Sequence, residues 1–170
     1  MKRFLCLLLT VISLSVSAQT VTPVLKFGFI SYDAVLQSMG DYAVVETSMA
    51  QLQEQYAAEQ KRVEDEFNKK YEEFLDGQRD FPQSILQKRQ SELQELMEKN
   101  IAIKKESQRL LAEAKEKALL PLKNRLADAL ARVGSSRGLA FILNTDQNAM
   151  PWMNITMGED VTEAVKEALR

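Results

Sequence analysis

The sequence lacks histidine altogether, and its 170 residues include a single cysteine, Cys6. Cys6 lies in a segment that we predict to be cleaved off, so the mature chain would have no thiol. Such a chain forms no disulfide, binds no zinc through Cys or His, and has no Cys or His nucleophile or general base. Six glycines and four prolines also leave little room for long loops, which predicts a mainly helical protein.

The first 18 residues have the pattern of a secretory signal peptide. Lys2 and Arg3 give it a charged start, an apolar stretch follows over residues 4–16, and Ala18 ends a group of small residues of the kind that signal peptidase recognises. The apolar stretch is shorter than the about 20 residues that a membrane-spanning helix needs. We therefore predict cleavage after Ala18 and export of the mature chain.

The predicted mature chain, residues 19–170, is mildly acidic. The signal peptide holds two of the 22 basic residues and none of the 24 acidic ones, so a net charge of −4 remains. An acidic chain without a basic tail is a poor candidate for binding nucleic acid. The acidic clusters at residues 64–66 and 72–73 are the only candidates for carboxylate chemistry, and on a polar helical face we predict solvated charges. We therefore expect no enzymatic activity, no metal site and no cofactor.

The two ends of the chain predict a small α/β body. Residues 24–31 alternate loosely and include β-branched and aromatic side chains, which predicts a strand. Asp33 is suited to cap a short helix over residues 34–39, and Gly40 is suited to end that helix.

The C-terminal end adds further elements to this body. Residues 139–143 form a continuous apolar run that predicts a buried strand. Residues 150–156 predict another strand, at an edge of the sheet because of Pro151. Residues 160–163 have the spacing of a capping box, which predicts a short final helix.

Two long amphipathic helices are predicted between these ends. No proline or glycine interrupts residues 41–76, where apolar residues recur at steps of three, four or seven. The break at residues 76–82 contains Gly77, suited to a helix end, and Pro82, suited to a first helical turn. A second helix is predicted over residues 82–120. Two helices of nearly equal length around a tight break are expected to form an antiparallel hairpin about 55 Å long.

Charge favours pairing over only half of this hairpin. Residues 41–59 contain four acidic and no basic residues, whereas the facing residues 99–117 contain six basic and three acidic ones. Near the tip both helices are slightly acidic. Exposed ion pairs contribute only about 0–1 kcal/mol each, so the apolar seam is expected to provide most of the stability. We predict a rigid lower half and a mobile upper half.

Pro121 lies inside a continuing helical pattern. It cannot donate a hydrogen bond to the carbonyl of Lys117, at a cost of about 3 kcal/mol, and is expected to kink or break the helix. Helical periodicity then resumes and is predicted to stop at Gly134. Pro121 is therefore the predicted hinge between the hairpin and the body.

These elements divide the chain into a signal peptide (1–18), a hairpin arm (41–120), and a body assembled from residues 19–40 and 121–170. The body contains only about 70 residues, near the lower limit for an independent core. We therefore predict a homo-oligomer that is held together by the body and has projecting arms. The candidates for the oligomer contact are Phe27, Phe29, Leu139, Phe141 and Leu143.

Projecting arms would present aromatic and methionine side chains to partners. Flexible surfaces of this composition suit binding to many different chains. For each such residue the alternative is that it packs between the two helices of the hairpin. The candidates for contact with a bound protein are Tyr56, Val63, Phe67, Tyr71, Phe74, Phe81, Leu93, Leu96 and Met97.

A series of short motifs in a fixed order gives the chain a family resemblance. The motifs are residues 26–31, residues 34–37, the long charged hairpin, residues 120–122, residues 131–134, the apolar strand and the helix cap at 160–162. In this order the chain resembles the Skp/OmpH family of periplasmic chaperones for outer-membrane proteins. The fold class expected is mostly α, with a long antiparallel helical hairpin inserted in a small β-rich oligomerisation body.

The resemblance implies a homotrimer whose three arms enclose a cavity. Unfolded outer-membrane proteins would be held there without ATP, in the periplasm. The expected partners are therefore these proteins, further copies of the chain and, transiently, the membrane surface. The best-known members are basic, whereas this mature chain is acidic, so we expect binding through apolar contacts more than through charge. No lipopolysaccharide-binding motif is matched.

A scaffold is the alternative to a chaperone. In that case the hairpin would be a non-enzymatic spacer of the cell envelope, or would bind one specific folded partner. A scaffold binds that partner tightly and ignores unfolded chains, whereas a chaperone suppresses their aggregation.

Overall fold

The computed structural model describes residues 25–170, so the predicted signal peptide and the predicted strand residue at position 24 lie outside the described residues. The described chain is a long hairpin of two antiparallel helices on a small α/β body, which confirms the predicted fold class. In chain order the elements are β1 (Phe27–Ile30), α1 (Tyr32–Ser38), α2 (Gly40–Gly77), α3 (Gln83–Arg137), β2 (Phe141–Asn144), a 3-10 turn (Asp146–Asn148), β3 (Gly158–Asp160) and α4 (Thr162–Ala168).

The three strands form one parallel sheet in the order β2-β1-β3. Phe27 of β1 is paired with Phe141 of β2 and with Gly158 of β3. Since parallel neighbours need long crossovers, the helical hairpin connects β1 to β2, and residues 145–157 connect β2 to β3. β2 is an edge strand with Phe141 42 % exposed, which corrects the prediction of a buried strand.

The segment at residues 150–156 is a connection and not the predicted strand. Pro151 lacks the N–H group that a ladder needs. The segment also has to return the chain from the end of β2 to the start of β3, across the whole length of a parallel sheet. The third strand therefore forms only after this return, at Gly158.

The core of the body lies between one face of the sheet and the C-terminal part of α3. Leu126 and Ala129 of α3 are fully buried there, as are Val161 and Val165 near the start of α4. The other core residues are Ile30, Val35, Leu36, Met39, Leu119, Leu122 and Val133. Burial of an aliphatic side chain stabilises by about 1.5–3 kcal/mol, so this small cluster holds the base of α3 in the body.

Helix α3 runs through Pro121 without a break. The predicted end of the second arm helix at residue 120 is therefore wrong, because α3 continues to Arg137. Pro121 itself is exposed, whereas its neighbours Leu119 and Leu122 are buried. Their burial, at about 1.5–3 kcal/mol each, offsets the about 3 kcal/mol that a proline costs inside a helix. A hinge at Pro121 stays a prediction.

Two glycines have positions that differ from the predicted ones. Gly40 begins α2 and does not end α1, which ends at Ser38. Gly134 lies within α3, so the predicted helix end there is also wrong. Gly138 ends the helix, because its φ of +64° places it in the left-handed region that a residue lacking Cβ adopts without strain.

The start of α1 is fixed by a residue more than a hundred positions away. Ser31 is the N-cap, in place of the predicted Asp33, and its Oγ accepts a hydrogen bond of 3.2 Å from the N–H of Ala34. The carboxylate of Asp146 accepts two further hydrogen bonds of 2.7 Å, one from Ser31 Oγ and one from the N–H of Asp33. Asp146 therefore joins the loop after β2 to the first turn of α1.

The predicted final helix is present as α4 (Thr162–Ala168). The carboxylate of Asp160 accepts a 2.9 Å hydrogen bond from the N–H of Thr162. Hydrogen bonds from the side chain and the backbone of Thr162 lower the pKa of Asp160. The N-cap residue is the fully buried Val161, whose side chain cannot accept a hydrogen bond. The carboxylate of Asp160, one residue before the N-cap, therefore accepts the hydrogen bond from the first turn of α4.

Candidate functional site

The two helices of the arm are joined across the seam by ion pairs at four levels. Two of these levels lie in the upper half, where the charge count predicted no match. The upper half therefore has cross-helix pairs of its own, although each exposed pair contributes only about 0–1 kcal/mol. The pairs are Asp41–Arg125 at 2.6 Å, Glu46–Lys115 at 3.1 Å, Glu66–Lys99 at 3.3 Å and Lys70–Glu92 at 3.4 Å.

Most of the predicted contact residues lie in the seam between α2 and α3. Val63 is fully buried, and five others are half-buried, namely Tyr56, Phe67, Phe74, Leu93 and Leu96. Phe81 is half-buried at the tip, where its ring lies so close to Gly77 that a Cβ there would clash. Only Tyr71 and Met97, at 45 % and 50 % exposure, are on the surface. The seam thus takes up most of the apolar side chains that the sequence offered as a binding surface.

Three polar residues interrupt this seam. Gln60 and Asn100 are half-buried, and Ser107 is only 4 % exposed. The sequence indicates two of these interruptions. On α2 the apolar residues follow at a step of seven from Tyr56 to Val63, with Gln60 between them, and on α3 the position of Asn100 falls in the apolar pattern but is polar. A polar residue at a seam position lowers stability and specifies the register of two helices.

One side of the upper arm is occupied by ion pairs, and we call it the ion-paired side. It contains Arg62, whose guanidinium pairs with Glu59 at 2.7 Å and lies 3.8 Å from Glu66. The hydrogen bond from Arg62 lowers the pKa of Glu59. Towards the tip the same side contains the group Lys70, Glu73, Arg89 and Glu92. Most charged groups on this side already have a partner of opposite sign.

The opposite side of the seam, which we call the cleft side, contains an open cleft of about 380 Å³. We call this cleft the mid-arm cleft. On α2, Gln60, Glu64 and Phe67 follow at steps of four and three, so they share a side that differs from that of Glu59 and Arg62. The cleft is lined by these three residues together with Asn68, Asn100, Ile101 and Lys104.

The apolar residues of the cleft side are exposed to solvent. Ile101 is 63 % exposed, and Met97 lies one helical turn away on α3. The ring of Phe67 stacks on Tyr71 of the same helix, with 5.9 Å between centroids and 7° between planes. Nearer the body the same side has a second cleft, of about 280 Å³, lined in part by Met49 and Leu111. In the middle of the arm, exposed apolar residues therefore lie on the side opposite the ion-paired side.

The body has a second apolar surface, on the sheet face that points away from the core. Phe27 and Phe29 of β1 lie there beside their register partners Phe141 and Leu143 of β2, and the rings of Phe27 and Phe141 stack at 5.7 Å. Leu139 differs from the other four oligomer candidates, because it packs against the core.

The crossover between β2 and β3 adds exposed apolar residues to the body. Trp152 is 80 % exposed, and Ile155 and Met157 are more than half exposed. No charged residue lies between Asp146 and Glu159. The sequence pattern does not indicate this surface, because it predicts a strand over residues 150–156.

The described residues contain neither a candidate metal-ion cluster nor a candidate membrane-spanning helix. Within residues 25–170, no group of three or more His, Cys, Asp or Glu side chains is arranged to hold a metal ion. None of the helices in that range is both long and apolar enough to cross a bilayer.

Comparisons with known proteins identify the family. The sequence model of the family described as "Outer membrane protein (OmpH-like)" matches residues 26–169. The chain is similar in structure to a protein from Caulobacter crescentus CB15 described as an OmpH-like outer membrane chaperone, with a TM-score of 0.65, 17 % identity, and coverage of 85 % of this chain and 83 % of that chain. No curated protein matches. Because the family match extends over nearly the whole described chain, this protein belongs to the OmpH-like family.

Proposed function

We propose that this protein is a non-enzymatic holdase chaperone of the periplasm that works without ATP. Its homotrimer would enclose a cavity between three arms, and unfolded outer-membrane proteins would bind there. The observation that supports this most directly is the mid-arm cleft, where exposed apolar residues lie on the side of the seam opposite the ion pairs of Arg62. The relationship to a protein described as an outer membrane chaperone supports the choice of outer-membrane proteins as clients.

Apolar contact is the proposed basis of client binding. The mature chain predicted from the sequence has a net charge of −4, which does not favour capture of acidic clients. Exposed apolar side chains such as Ile101 and Met97, in a protein of this class, indicate a surface for a partner. We assign client contact to the cleft side and hairpin packing to the seam residues.

The body is the proposed trimer contact. Both outer strands of its three-stranded sheet have an edge without a neighbour in the described chain. Such edges, together with an apolar outer face around Phe141 and the exposed Trp152, favour association with another chain. A second and third copy of the same body would cover these surfaces.

Suppression of aggregation tests the proposed function. A urea-denatured β-barrel protein is diluted into buffer with or without the mature protein at one trimer per client, and turbidity is followed. We expect turbidity to be suppressed without ATP. Undiminished aggregation would refute the holdase, and light scattering that gave a stable monomer would refute the trimer.

Replacement of Tyr71, Met97 and Ile101 by Ser tests where the client binds, because these three side chains are exposed on the cleft side and do not pack in the seam. Trimerisation is expected to survive, because these residues lie far from the body, while holding activity drops. Dissociation of the trimer by the same substitutions would contradict the assignment of the arm to client binding alone.

The alternative is an envelope scaffold or spacer. A folded arm with an exposed apolar cleft would also suit a single folded partner. Such a protein would leave aggregation of unfolded barrels unchanged, so the turbidity assay separates the two functions.

A further inference from the structure

We propose that the mid-arm cleft binds an extended, alternating segment of an unfolded β-barrel protein through its backbone, with the carboxamides of Gln60, Asn68 and Asn100 as hydrogen-bonding groups and with Phe67 and Ile101 in contact with its apolar side chains. The inference rests on the proposed holdase function and names what the arm recognises. Recognition of the backbone would explain how one site accepts many sequences.

The carboxamides of the cleft are free to bind a ligand. Among the side-chain hydrogen bonds of residues 25–170, none involves Gln60, Asn68 or Asn100, whereas most charged groups of the ion-paired side are engaged. Every fully buried side-chain N or O atom in that range has a hydrogen-bond partner. Since these carboxamides have no such partner, they are not fully buried and keep contact with solvent. A carboxamide both donates and accepts hydrogen bonds, as does the peptide unit of a client.

The charges of the cleft also fit a neutral occupant. Glu64 and Lys104 are the two charged residues of its lining, and their charges cancel. A peptide backbone without net charge therefore meets no repulsion in the cleft. On the ion-paired side the same backbone would have to displace existing pairs such as Arg62 with Glu59.

An alternating strand matches the arrangement of side chains around the cleft. Successive side chains of an extended strand point to opposite faces, and strands of outer-membrane barrels alternate apolar with polar residues. When such a strand lies along the cleft, its apolar face contacts Phe67 and Ile101 and its polar face stays in water. Its peptide groups then lie between the two, at the level of the carboxamides.

A backbone-modified peptide tests the inference on the unaltered protein. The probe is a fluorescent synthetic peptide with the sequence of one barrel strand, and its partner peptide carries N-methyl groups on alternate backbone nitrogens. Loss of two or three hydrogen bonds at about 1 kcal/mol each predicts at least about tenfold weaker binding of the methylated peptide. Equal affinities for the two peptides would overturn the inference.

Apolar replacement of one carboxamide provides the second arm of the test. Asn68→Leu keeps the size of the side chain and increases the apolar area, and because Asn68 is exposed it leaves the polar seam residues Gln60 and Asn100 in place. Binding through apolar contact alone predicts equal or tighter binding of the strand peptide, whereas loss of one hydrogen bond at about 1 kcal/mol predicts about fivefold weaker binding. The matched control is Gln55→Met, an exposed residue at helical spacing from Glu59 and Arg62 on the ion-paired side.

The outcomes separate this inference from the holdase function. Circular dichroism first verifies that the variants keep their helices. If the variants and the unaltered protein bind both peptides and unfolded barrel protein equally well, backbone recognition is wrong and the holdase remains. If the unaltered protein binds no unfolded barrel protein, both are wrong.

Discussion

The carboxylate of Asp146 connects two parts of the body that are remote in sequence, and its removal is expected to destabilise that body strongly. It accepts hydrogen bonds of 2.7 Å from Ser31 Oγ and from the N–H of Asp33, in a partly buried site at the start of α1. Hydrogen bonds to a charged group contribute about 1.5–3 kcal/mol each, and loss of a helix cap costs about 1 kcal/mol. These two bonds share one carboxylate, so we expect Asp146→Ala to lower the free energy of unfolding by about 2–3 kcal/mol.

The assay is urea unfolding of the mature protein, with all variants at one protein concentration because the proposed subunit association would make stability depend on concentration. Asp146→Asn keeps one acceptor oxygen and is expected to lose about half as much as Asp146→Ala. Asp128→Ala is the control, since Asp128 is exposed on α3 and forms no ion pair within the described residues. A loss for Asp146→Ala no larger than that of the control would refute the proposed tie between the β2 loop and α1.

Three further predictions concern single positions. Pro121→Ala is expected to raise the melting temperature, because alanine restores a donor inside α3, and an unchanged holding activity would exclude a hinge role. The carboxylate of Asp160 is expected to stabilise the protein at neutral pH, and this stability is lost as the pH falls through the lowered pKa of Asp160. Asp160→Asn removes the same contribution, so the urea midpoints of the two proteins are expected to converge in acid. Gly77→Ala is expected to displace the ring of Phe81 and to speed hydrogen exchange at the tip, with the body unaffected.

The hairpin could be predicted from sequence because its signals are local. Gly77 ends α2, and Pro82 stands immediately before α3, as the break at residues 76–82 indicated. The continuity of α3 could not be predicted in this way. A proline inside a helix costs free energy locally. That cost is offset by the burial of Leu119 and Leu122 in a core to which residues far away in the sequence contribute.

The pairing of charges along the arm was missed for a related reason. A count over a half-helix averages individual pairs, so Glu66 with Lys99 and Lys70 with Glu92 did not appear in it. The mid-arm cleft was not predicted, because only apolar side chains were candidates for contact with a bound protein. Most of those residues pack in the seam, while the groups that remain open to a ligand include carboxamides such as Asn68.

The seam itself explains why one arm can be both folded and adaptable. The arm extends about 57 Å over the 38 residues of α2, yet Val63 and Ser107 are its only buried side chains between the tip and Leu119 among the described residues. A helix pair with so few buried contacts opens locally at low free energy, while the body beneath it contains the buried cluster around Leu126. Polar groups at Gln60 and Asn100 keep the register of the hairpin when it closes again. Opening of the arm would leave the body folded, so hydrogen exchange should be faster in the arm than in the body and slowest around Leu126.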